Sequence, residues 1–137
     1  MTTLTVEVSV TIDGAGAPVL DSVTSVSPSG DGVATLDETT TPPTLSVDDY
    51  DCDTVVINLN APVGDDLEEA QVSSSITPTS APIQFSWSDP GNPLTLTVTG
   101  LTQVDSSLDD DVNLSVDSSS GDPIFIVRRS RPPGDDR

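Results

Sequence analysis

Apolar side chains occupy positions 4, 6, 8, 10 and 12 of the chain, and polar ones positions 5, 7, 9 and 11. Successive residues of a strand point to opposite faces, so Leu4–Ile12 predicts a half-buried strand with one oily and one wet side. The same period of two recurs in Thr54–Asn60, where Val55, Ile57 and Leu59 share a face. It recurs again in Leu94–Thr99 and at Val112, Leu114 and Val116. Ile124–Val127 is a continuous apolar run, the pattern of a central strand. Val19–Ser27 alternates poorly but reads as extended. Val33–Leu36, Thr44–Val47, Gln71–Thr77 and Ile83–Trp87 are further short strands. Asp65–Ala70 suits one helical turn, since acids are favoured at a helix's positive N-terminal end.

Turn residues separate these segments: Asp13–Pro18, Pro28–Gly32, Pro78–Pro82 and Asp89–Pro93. Glycine supplies positive φ, and proline ends a ladder. Eight to ten short strands with a turn about every ten residues predict an all-β fold, a single antiparallel β-sandwich, immunoglobulin-like or jelly-roll. At 137 residues one domain is expected. Residues 1–127 form the β-sandwich domain, and residues 128–137 form an arginine- and proline-rich C-terminal arm.

Composition limits the core. Val, Leu, Ile and Phe supply 36 of the 137 residues, but there are only two Phe, one Trp and one Tyr. The core is therefore thin and built from β-branched side chains. Charge changes the picture more. The chain carries 23 acids against four Arg, with no Lys and no His, for a net charge of −19. All four arginines lie in the last ten residues, and the charged residues of positions 1–127 are all acids. So much like charge destabilises a compact domain in dilute buffer. Near 1 M salt the Debye length falls to about 3 Å and the repulsion is largely screened.

The same composition excludes most catalytic arrangements. Without His there is no Ser-His-Asp or Cys-His pair and no imidazole metal ligand. Without Lys there is no Schiff base and no P-loop. Cys52 is the sole cysteine, so no internal disulfide forms. Its acidic neighbours raise a thiol pKa, the wrong direction for a reactive thiolate. A carboxylate pair could cut a sugar, but among 23 acids a close pair arises by chance. The expectation is that the protein is not an enzyme.

Three sets of residues are candidates for binding. Asp49, Asp51 and Asp53 alternate, so an extended chain points all three one way, as oxygen ligands for Ca²⁺ or Mg²⁺ would be. Counted from Asp49, an EF-hand loop needs Gly at its sixth position and Glu at its twelfth, where Thr54 and Asn60 stand. The cluster therefore reads as a solvated acidic loop at least as well, and no cofactor is otherwise expected. Phe85 and Trp87 share a face; they anchor the core or, if exposed, mark a contact surface. Arg128, Arg129, Arg131 and Arg137 could pair bidentately with carboxylates of a neighbouring copy or partner. Nucleic acid is not an expected partner, because the acidic body repels phosphate and molar salt weakens the attraction. No apolar run approaches a membrane span. Met1-Thr2-Thr3 lacks the basic start of a secretory signal, so the chain is expected to be made in the cytoplasm.

Asp in excess of Glu, Thr and Ser in place of Lys on wet faces, and the absence of Lys resemble the proteins of extremely halophilic archaea and their viruses. A small acidic sandwich with a polarised tail further resembles a capsid decoration (cement) protein of a haloarchaeal tailed virus. That resemblance implies a structural protein of the virion, sitting on the capsid as a symmetric oligomer such as a trimer. Its partners would be the major capsid protein and copies of itself. The Leu4–Ile12 end or the Arg128–Arg137 arm would dock. The alternatives are a tail or turret component of the same virion, or a cell-surface adhesion or sugar-binding sandwich, which would need export.

Overall fold

The computed structural model describes residues 2–27, 33–48, 51–77, 81–104 and 111–129. Among these are ten strands: β1 (Thr2–Ile12), β2 (Pro18–Ser27), β3 (Ala34–Asp37), β4 (Thr44–Val47), β5 (Cys52–Asn60), β6 (Val72–Thr77), β7 (Gln84–Trp87), β8 (Leu94–Thr99), β9 (Val112–Ser118) and β10 (Pro123–Arg129). They form two five-stranded sheets, ordered β2-β1-β5-β8-β7 and β3-β4-β10-β9-β6. A 3-10 turn, Glu69–Gln71, overlaps only the last two residues of the helical turn expected over Asp65–Ala70; Asp65–Glu68 are not helical. Another, Leu101–Gln103, follows β8 and has no counterpart in the sequence pattern.

The strand order decides between the two expected topologies. Read as strands B to G, β5 to β10 give B-E-D in one sheet and C-F-G in the other, the arrangement of an immunoglobulin-type sandwich. β1 to β4 precede this unit and widen both sheets on one side. Six of the eight strand pairings are antiparallel, but β1 runs parallel to β5 and β4 parallel to β10. The sandwich is thus mixed rather than wholly antiparallel. Alternation fixes which face of a strand is buried and carries no information about its direction.

These pairings make consecutive strands alternate in direction. The connections β1–β2, β3–β4, β5–β6, β7–β8 and β9–β10 therefore lie at one end. Hydrogen bonds between these connections agree: Leu67 and Gly91 exchange backbone bonds of 3.0 Å, and Ser119 donates to the Gln71 carbonyl at 2.9 Å. β1 starts and β10 finishes at the opposite end.

The core lies between the sheets. Leu4, Val6, Val8 and Val10 of β1 pack with Val55, Ile57 and Leu59 of β5 and Leu94, Leu96 and Val98 of β8. Facing them are Leu45 and Val47, Val112, Leu114 and Val116, and Phe125 and Val127. Burying each such side chain contributes about 1.5–3 kcal/mol relative to leaving it exposed.

β-Bulges explain where the sequence pattern fails. Across β1, Val6, Val8 and Val10 oppose Val26, Val23 and Leu20, so Thr24 and Asp21 are each skipped. Inward residues of β2 are three apart because a bulge adds one residue to the pleat. A further bulge lets Ile124 and Phe125 both be buried in β10, which is central to its sheet as its apolar run predicts.

Candidate functional site

β10 runs through Arg128 and Arg129, two residues past the expected boundary at 127. Inward positions alternate Phe125, Val127, Arg129, and Arg129 is only 1% exposed. Its Nη1 donates to the Val47 carbonyl at 3.4 Å, tying the end of β10 to the end of β4. Arg128 points outward and is paired within the chain: its Nε donates to Asp111 Oδ2 at 3.1 Å, and its Nη2 joins the same oxygen. Arg131 and Arg137 lie outside the described residues. Arg128 and Arg129 thus both make contacts within the fold.

Asp51 sits in the exposed turn before β5, and Asp53 is the skipped residue of a bulge against β1. Asp53 Oδ1 accepts the Thr102 hydroxyl at 2.8 Å. Asp49 lies outside the described residues. Among the described residues no group of three acidic, cysteine or histidine side chains is placed to hold a metal ion. Cys52 is buried, and its Sγ donates to the Thr54 carbonyl at 3.5 Å.

Phe85 and Trp87 are both inward-directed, opposite Val98 and Leu96 of β8. Yet β7 is the marginal strand of its sheet, and the opposing sheet does not fully cover it. Trp87 is half-buried against the core, whereas Phe85 stays 38% exposed. Trp87 thus packs against the core, and Phe85 reaches solvent.

A carboxylate network that sequence reasoning missed crosses the outer face of the first sheet. Glu7 on β1 accepts from Asn58 Nδ2 at 2.7 Å and from Asn60 Nδ2 at 3.0 Å, both on β5. Thr95 on β8 donates to Asn58 Oδ1 at 2.6 Å. Alternation does place Glu7 on the wet face; its meeting with Asn58 needs the parallel β1–β5 register. Other carboxylates are served the same way. Asp37 Oδ1 accepts the Thr39 hydroxyl and, at 2.9 Å, the Thr39 amide, which together hold its carboxyl below the usual Asp value. Thr35 donates to Asp48 at 2.9 Å and Ser115 to Asp117 at 3.0 Å. Hydroxyls and amides serve as the donors to these carboxylates.

An open cleft of about 250 Å³ lies between β2 and the β3–β4 connection, lined by Leu20, Asp21, Ser22, Val23, Glu38, Thr40, Thr41 and Pro43. Its lining combines aliphatic, hydroxyl and acidic side chains. Asp21 Oδ2 accepts the Ser9 hydroxyl at 3.3 Å. The lining offers carboxylates and hydroxyls. No helix is long and apolar enough among the described residues to cross a membrane. No known protein family, curated protein or solved structure matches the chain.

Proposed function

We propose that the chain is a structural protein of a halophilic archaeal virus, decorating and stabilising its capsid through protein–protein contacts and without catalysis. The observation that carries this reading is the acid coat: 23 carboxylates against four arginines on one small domain. Two of those arginines are engaged within the fold. Such a surface is poorly suited to dilute solution and well suited to brine. A rigid sandwich whose polar groups are spent on holding their own carboxylates fits a scaffold role. The major capsid protein and copies of this chain are the proposed partners.

The test is mass spectrometry of particles released by cells that carry the gene. The chain is expected in the particles in numbers comparable to the major capsid protein. Its absence from particles together with recovery from the cell envelope would favour the second reading, an exported adhesion or sugar-binding module. The immunoglobulin-type strand order supports that alternative, because many cell-surface domains share it.

A further inference from the structure

The charge of this chain is unevenly spread. Residues 70–104 carry a single charged side chain, Asp89; the other 22 acids and all four arginines lie outside that segment. The fold gathers part of this neutral segment at one margin. β6 is the last strand of one sheet and β7 the last strand of the other, and they are consecutive in the chain. Their sequences, Val-Ser-Ser-Ser-Ile-Thr and Gln-Phe-Ser-Trp, hold no charge.

Inward-facing side chains at this margin are incompletely covered. Ser74 and Ile76 of β6 are half-buried, Trp87 is half-buried and Phe85 is exposed. The Ser74 hydroxyl is buried with no hydrogen-bond partner among the described residues. β7 pairs with β8 on one side and, among the described residues, leaves its other edge open. Natural sheets blunt such edges with charge, proline or bulges, and β7 has none of these.

The opposite margin does. There β2 carries two bulges and an exposed Asp21, and Asp37 and Glu38 flank the end of β3. Both margins have aliphatic residues behind them, and among the described residues only the β2–β3 margin carries such guards.

We propose that the β6–β7 margin is where a second copy of this chain docks, β7 against β7 about a two-fold axis. A two-fold contact places the same patch on both sides, so a patch can serve only if it does not repel itself. On a chain of net charge −19, a contact through an acidic patch sets carboxylate against carboxylate. At this margin, two uncharged edges meet antiparallel, each completing the other's backbone ladder. Phe85 supplies the aromatic contact that interfaces favour. Four residues of strand are too few for the roughly 800 Å² per partner of a stable dimer, so the contact extends over Ile76 and β6. The inference deepens the self-association named above and rests on it. The particle assay and a solution mass measurement fail independently of one another.

The experiment is light scattering of the full chain after size exclusion at about 3 M salt, where charge repulsion is screened. The native protein is expected at twice the monomer mass. Phe85→Asp and Ser86→Asp each put a charge at the margin, and each is expected to weaken dimerisation at least tenfold. Ser86 faces outward, opposite Thr97, so its variant keeps the core intact if Phe85→Asp folds poorly. Val63→Asp, at a fully exposed loop position, is expected to dimerise like the native chain. A native protein that stays monomeric, or a dimer unaffected by both β7 variants, overturns the proposal.

Discussion

Arg129 and Asp37 show how single residues of this chain manage charge without lysine. Arg129 is a buried cation whose hydrogen bond reaches the carbonyl of the neighbouring strand. Truncation would open a cavity at the end of the core and remove that hydrogen bond. Arg129→Ala is expected to cost on the order of 2–4 kcal/mol of unfolding free energy by denaturant titration. A loss below about 0.5 kcal/mol, the usual range for surface substitutions, would return Arg129 to the role of a tail residue. At Asp37 the Thr39 hydroxyl is the larger cause of the lowered pKa and the Thr39 amide the smaller. A depressed carboxyl stabilises the fold at pH values above its unfolded pKa, and that contribution fades as pH falls through the folded value. Thr39→Ala removes the larger cause, so the Asp37 carboxyl resonance should titrate at higher pH than in the native chain. An unmoved midpoint would contradict this assignment. The sequence already held the signal for Arg129: positions 125, 127 and 129 continue one alternating face. It was hidden because two adjacent arginines beside a Pro-rich stretch look like a tail.

At the scale of elements, the strand positions were legible and their pairing was not. Thr44–Val47 and Leu94–Thr99 match the structure in both bounds, because their alternation is unbroken. β2 looked irregular because its bulges make the inward spacing three, which no period-two pattern detects. The parallel β1–β5 and β4–β10 pairs, and with them the Glu7–Asn58–Asn60 network, depend on contacts between residues some fifty or eighty positions apart. The end of β8 is set by Gly100, with φ of 84°, where a Cβ would fall only 2.9 Å from the Pro82 carbonyl oxygen. Gly100→Ala meets both the left-handed backbone and that contact, so a loss of about 1–3 kcal/mol is expected. Gly64 has a similar φ of 93° but open space around it. Gly64→Ala should therefore cost less, about 1 kcal/mol. Chemical denaturation of the two variants checks the order, and equal losses would mean that the Pro82 contact does not matter.

For the molecule as a whole, the sandwich and the acid coat make opposite demands. The core draws two sheets together, while carboxylates without basic neighbours push the surface apart. Hydrogen bonds from Ser, Thr and Asn satisfy individual oxygens and leave their charge in place. The remaining repulsion can be screened only by the surrounding ions. The proposed habitat follows from this balance, and so does the neutral margin at β6 and β7, where copies can meet without opposing their charges. Net charge was fully legible in the sequence; the gathering of uncharged residues at one margin was not, because it needs the strand order. The most direct measurement is the thermal unfolding midpoint of the native chain as salt is lowered from about 3 M to about 0.05 M, where the Debye length grows from below about 3 Å to above about 10 Å. The proposed account predicts a steep fall in the midpoint, with loss of cooperative folding at the low-salt end. A midpoint that stays unchanged across the series would contradict it.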